Sequence, residues 1–156
     1  MAPTFNSLNN EYVLGSPIEA ILEADTDAVN ASTTLVEIPE FTIQFNPYDR
    51  VIFTAHLNVS SAAAADFKLR VDCPGTAGSY LLRHEAFFDT AATAYATSEA
   101  DISYTWTTAT GGVILLYGNI QNGATDGELQ IQFAQNSSNA SDTKVLAGSR
   151  LVYRKY

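Results

Sequence analysis

The sequence predicts an all-β fold, an antiparallel β-sandwich or jelly roll with about eight to ten strands. Three observations carry this expectation. Apolar and polar residues alternate with a period of two over most of the chain from residue 41 onward, the spacing that puts one side of a strand in a core. Turn residues cut these runs at short intervals. Charged residues make up 16% of the chain, below the ~25% of an ordinary domain. Thr, Ser and Asn supply the polarity instead, and they favour strands, caps and turns over helix interiors.

In chain order, short strands are expected at residues 16–24 and 34–37. Phe41, Ile43 and Phe45 then share one face, and the turn Asn46-Pro47-Tyr48-Asp49 leads into Val51, Phe53, Ala55, Leu57 and Val59 on another. Residues 60–65 suit a single helical turn. Over residues 66–73 the alternation has no fault: Phe67, Leu69, Val71 and Cys73 point inward, while Asp66, Lys68, Arg70 and Asp72 point outward. After Pro74-Gly75 a strand is expected at 80–88, followed by an Ala/Thr-rich loop at 89–100. Ile102, Tyr104 and Trp106 mark the inward side of 102–107. Gly111-Gly112, Asn122-Gly123 and Asp126-Gly127 bracket strands at 113–121 and 128–135, the latter with Leu129, Ile131 and Phe133 inward. A last strand is expected at 145–156.

One strand departs from the rule. Residues 113–117 read Val-Ile-Leu-Leu-Tyr, apolar on both faces, which a strand tolerates when something covers each side of its sheet. The core covers one side, and a neighbouring subunit is the simplest cover for the other, with a packed loop as its rival. Val113, Leu115 and Tyr117 are therefore candidate subunit-interface residues. Tyr153 on the last strand is a further one, since Tyr buries a ring while its hydroxyl finds a partner.

Charge divides the chain unevenly: residues 1–49 hold eight acidic groups and no basic one, and residues 50–156 hold nine acidic and eight basic. This suggests an N-terminal acidic arm and first strand over 1–30 ahead of a jelly-roll domain over 31–156. Phe5, Leu8, Tyr12 and Leu14 are too many apolar residues for a purely solvated tail. They are the candidate residues of an arm that docks on a neighbour, steered by its carboxylates to a basic surface.

The net charge of -9 argues against nucleic-acid binding, which needs clustered Lys and Arg. No apolar run approaches the ~20 residues that span a bilayer. The opening residues lack the basic and apolar regions of a secretory signal, so a cytoplasmic product is expected. Cys73 stands alone and reads as a small buried group. His56 reads as an exposed strand residue, and His84, between Arg83 and Glu85, as part of a solvated or interface polar cluster. Neither has ligands at metal-binding spacing. No Gly-x-Ser-x-Gly turn occurs, and Gly148-Ser149 falls within the last expected strand. Asp25-Thr26-Asp27 lacks the rest of a calcium loop. No catalytic, cofactor or metal site is expected, and the chain does not read as an enzyme.

Residues 129–136, Leu-Gln-Ile-Gln-Phe-Ala-Gln-Asn, a polar loop at 137–144, and 145–151, Val-Leu-Ala-Gly-Ser-Arg-Leu, together resemble the closing strand pair of tailed-bacteriophage virion structural proteins. That family includes head decoration (cement) proteins and tail-fibre domains with a tumour-necrosis-factor-like jelly roll. The resemblance covers about 28 residues closely and the preceding body loosely. It implies a homotrimer with the third-from-last strand, here 113–121, near the three-fold axis. For a chain of this length it implies a capsid decoration protein that binds the major capsid protein or neighbouring virion proteins and stabilises the head. Such a protein is made in the host bacterial cytoplasm and sits on the capsid surface of the virion, with no cofactor, nucleic acid or membrane among its partners. The alternatives are a receptor-binding tail or fibre tip and a carbohydrate-binding β-sandwich module, for which exposed aromatics would stack on sugar rings.

Overall fold

A computed structural model describes residues 4–6, 11–13, 16–87, 92–106 and 111–156, with side chains described over 16–87, 93–106 and 111–156. Within them the chain forms thirteen strands. The first two, β1 (Thr4–Asn6) and β2 (Glu11–Val13), pair with each other with Phe5 opposite Tyr12. The next are β3 (Ile18–Ile21), β4 (Val36–Phe45), β5 (Arg50–Ser60), β6 (Phe67–Asp72), β7 (Ser79–Phe87) and β8 (Ala92–Ala96). They are followed by β9 (Ile102–Tyr104), β10 (Gly111–Gln121), β11 (Gly127–Ala134), β12 (Lys144–Val145) and β13 (Arg150–Lys155).

Two antiparallel sheets pack as a sandwich. The small sheet runs β4-β11-β6-β9, and the large one β3-β13-β5-β10-β7-β8, with β12 pairing the far end of β5. From β4 to β11 the chain changes sheet at every step except between β7 and β8. That wrapping sets β4-β11-β6-β9 against β5-β10-β7-β8, the two four-stranded sheets of a jelly roll. β13 and β3 widen the second sheet beyond the four.

The alternation explains the core directly. Phe41, Ile43 and Phe45 of β4, the odd-numbered residues of β5 from Val51 to Val59, and Phe67, Leu69 and Val71 of β6 are all buried. Leu129, Ile131 and Phe133 of β11, between β4 and β6 in the small sheet, are buried with them. The Phe67 ring stacks on Phe133 at 6.0 Å between centroids and meets the Trp106 indole edge-on at 6.3 Å. Burial pushes the Cys73 thiol up to about 12, which leaves it a neutral packing group.

Buried polar side chains fasten the loops. Asn122 donates to the carbonyls of Asn46 and Thr125 and accepts from Gly123 N–H. Gln135 accepts from Asn139 N–H at 2.9 Å and donates to Ser141 O at 2.6 Å, organising the polar loop after β11. Gly118 is required by packing. The Phe53 ring of the paired strand lies where its Cβ would stand, 2.0 Å from Cε1.

The structure corrects several sequence expectations. Residues 92–96, expected in a loop, are strand β8, paired to β7. The two strands expected at 34–37 and 41–45 are one, because Pro39 falls at a register break of the β4–β11 ladder, between the pairs Glu37–Gln132 and Thr42–Gln130, where a missing N–H is tolerated. The last expected strand is split. Gly148 turns the chain at φ +81, and Ser149 Oγ accepts the Asn58 N–H at 2.9 Å in the gap between β12 and β13. The strand expected at 16–24, the first strand of the 1–30 segment, is β3, and the chain from Ile18 to Ala31 is fastened into the sandwich. β3 pairs β13, and backbone bonds join Leu22 to Ser149 and Gly148, Thr26 to Val145, Val29 to Thr143 and Ala31 to Asn139. Of the proposed arm residues, Phe5 and Tyr12 are placed by backbone alone, and Leu8 and Leu14 lie outside the described residues.

Candidate interaction face on the large sheet

Because β5, β10 and β7 bury every second residue and β13 turns Leu151 and Tyr153 to the core, their intervening residues form the outer face of the large sheet. Register places them in rows. One row runs Glu19, Val152, Thr54, Tyr117, Arg83 and Tyr95 across six strands. The next runs Ile21, Arg150, His56, Leu115, Glu85 and Thr93. A third brings Ile52, Asn119 and Leu81 together.

This face is unusually apolar for one turned to solvent. Ile52, Leu81, Tyr95 and Tyr117 are 44%, 49%, 66% and 39% exposed, beside half-buried Val113, Leu115 and Val152. Its charges are mostly matched within the chain. Arg83 pairs with Glu85 and lays its guanidinium over the Tyr117 ring at 5.5 Å. Arg150 lies 3.8 Å from Glu19. A shallow depression of about 440 Å³ opens between Thr54, His56, Leu115, Tyr117, Arg150 and Val152. A second, of about 330 Å³, opens between Ile52, Leu81, Arg83, Tyr95 and Tyr117.

Three of the four residues singled out as interface candidates, Val113, Leu115 and Tyr117, therefore lie on one face, two residues apart along β10. Tyr153 does not join them. Its neighbours Val152 and Arg154 hold the outward positions, and its own ring packs against the core. Ile52, Leu81, Tyr95 and Val152 are the members of this face that sequence reasoning missed. Ile52, Leu81 and Val152 are outward residues of strands whose inward partners carried the stronger signal, and Tyr95 lies on β8, which was expected to be a loop.

His84 corrects another expectation. It is buried rather than solvated, because its charged neighbours Arg83 and Glu85 point to the opposite side of β7. Its ring meets Tyr104 edge-on at 5.5 Å, and Nδ1 has no hydrogen-bond partner among the described residues. Burial holds its pKa below the ordinary value. His56 lies on the outer face, half-buried in the larger depression. Among the described residues no group of three His, Cys, Asp or Glu side chains is placed to hold a metal ion, and no helix is long and apolar enough to cross a membrane.

Compared with known proteins, the chain matches no protein-family model and no curated protein. Among solved structures it is similar to a chain in the structure of infectious bursal disease virus Gx strain, at 9% identity and a TM-score of 0.22. The likeness covers 99% of this chain and 45% of that one, so this chain spans less than half of its length. A TM-score this low does not establish a common fold.

Proposed function

We propose that this protein is a virion structural protein of a tailed bacteriophage, a head decoration protein that assembles as a homotrimer and adds interface area to the shell. The observation that carries the reading is the apolar outer face centred on β10, within a jelly roll. Contiguous exposed apolar area of this kind marks interaction surfaces, and closed symmetric oligomers are the usual way to cover it. The resemblance of residues 129–151 to phage virion proteins supplies the setting, the capsid surface and its major capsid protein. The role is mechanical and asks no chemical step of the chain: a rigid trimer bridging neighbouring shell subunits opposes their loss under internal pressure.

Light scattering on the purified protein tests the assembly, with about three times 16.8 kDa expected. The double variant Leu115→Lys, Tyr117→Glu is expected to run as a monomer with its circular dichroism unchanged. A monomeric wild-type protein at micromolar concentration overturns the trimer. Labelling of particles with an antibody against the protein is expected on the head surface, and labelling confined to the tail tip would favour a receptor-binding role. Tyr95 and Tyr117, standing either side of Arg83, favour glycan binding as the second reading, because sugar rings stack on exposed aromatic faces. Binding of the isolated protein on a glycan array is its test.

A further inference from the structure

Away from the large-sheet face, an apolar cleft of about 430 Å³ opens between the segment following β3 and the free edge of β4. Leu22, Val29 and Phe133 form its floor, and Val36, more than a third exposed, forms part of its wall. Asp25 and Asp27 stand on one rim and Glu37 and Glu40 on the other, all exposed. None of the four takes part in an ion pair among the described residues, and none of the chain's Lys or Arg residues lines the cleft. Four of the eight acidic groups of the first 49 residues thus stand around one apolar cleft.

We infer that this cleft docks an extended segment of a different protein, one that places an apolar side chain on the floor between flanking Lys or Arg residues. The apolar floor favours an inserted side chain, and the carboxylates, none of them neutralised by an ion pair although Asp25 accepts the Ala147 N–H at 3.0 Å, fix the sign of its neighbours. A second copy of this chain is a poor occupant. Lys68, Arg70, Arg83, Arg150 and Lys155 are already paired with the chain's own carboxylates, leaving few cations to offer. Addition of a full strand to β4 is also disfavoured, because the strand is irregular around Pro39, where its ladder with β11 shifts register, and Glu37 and Glu40 charge it. Recognition is therefore by side chains seated in the cleft. In the setting proposed above the partner is a basic segment of the shell, but the cleft's chemistry holds whether or not the protein decorates a head.

The test titrates the full-length ¹⁵N-labelled protein with a blocked synthetic peptide carrying two arginines on either side of a pair of leucines, at low salt. Amide shifts are expected within residues 22–29 and 36–40, with binding weakening as salt rises. The double variant Glu37→Gln, Glu40→Gln is expected to bind about tenfold more weakly with unchanged thermal stability. Replacing the leucines by serines is expected to weaken binding further. The inference is overturned if spermine binds as well as the peptide, if the shifts scatter over the acidic surface, or if the double variant binds like wild type. None of these outcomes bears on the trimer, which light scattering decides separately.

Discussion

The outer faces of the two sheets are built on the same alternation and differ in what fills the outward positions. On the small sheet these are Thr42, Gln44, Glu128, Gln130, Gln132, Lys68, Arg70 and Asp72. They satisfy one another: Gln132 donates to Gln130 at 3.2 Å and Gln130 to Glu128 at 3.3 Å, while Arg70 holds Asp101 at 2.6 Å. On the large sheet the corresponding positions set Ile52, Leu81, Leu115, Tyr117 and Val152 among Thr54, His56, Arg83, Glu85 and Arg150. A solvated face needs no cover, since its polar groups exchange water for each other at little net gain. An apolar face leaves area whose removal from water is worth about 25 cal/mol per Å². The pattern of alternation makes the sandwich, and the choice of outward residue decides which side can become an interface.

The largest expected break in this comparison is at Gly118, where β10 crosses Phe53. Adding a Cβ 2.0 Å from the ring forces apart the two strands that carry the centre of the large-sheet face. Gly118→Ala is expected to destabilise the fold by about 3 kcal/mol, read as a lower denaturant midpoint. A midpoint like wild type would mean that the Phe53 ring can move aside freely.

Next comes His84, on the core side of the strand whose outer side carries Arg83 and Glu85. Burial holds its folded-state pKa below the ordinary 6.5, so as pH falls through that value the unfolded chain takes up the proton first. The stability tied to the neutral ring is therefore present above about pH 6.5 and declines as pH drops toward the folded-state pKa. His84→Leu is expected to flatten that decline between pH 7 and 5. At pH 7.5 it should cost less than about 1 kcal/mol, because it also removes a buried nitrogen lacking a partner. Equal slopes in the variant and wild type would place the acid sensitivity elsewhere.

How far the sequence reaches follows from the same physics. Phe67, Leu69 and Val71 were legible because a half-buried strand must contrast its two sides. Strand β8 was not, because Ala92, Ala94 and Ala96 offer no contrast and it pairs β7 alone. His84 was misread from Arg83 and Glu85, although strand neighbours in sequence are never neighbours on a face. Apolar residues on both sides of β10 were visible in five consecutive letters. The acidic cleft was half visible. The charge asymmetry lies in the sequence, but its apolar floor joins Leu22 and Val29 to Phe133, more than a hundred residues away, through packing of the two sheets that no local pattern encodes.

The smallest expected effect is the one that tests the comparison most directly. Gln130→Thr with Gln132→Thr exchanges two outward residues of the small sheet for a residue that suits strands. It removes hydrogen bonds that water can replace, and no apolar area of consequence. Stability is expected to stay within about 0.5 kcal/mol and the assembly state to be unchanged. The matched pair on the large sheet, Leu115→Thr with Val152→Thr, applies the same exchange to half-buried apolar residues around the depression beside Tyr117. Roughly 1 to 2 kcal/mol should be lost there, along with part of the association. Chemical denaturation and light scattering on the two double variants, side by side, decide the matter. If both lose the same stability and neither changes its assembly, the two outer faces are energetically equivalent and the apolar residues of the large sheet serve the strand alone.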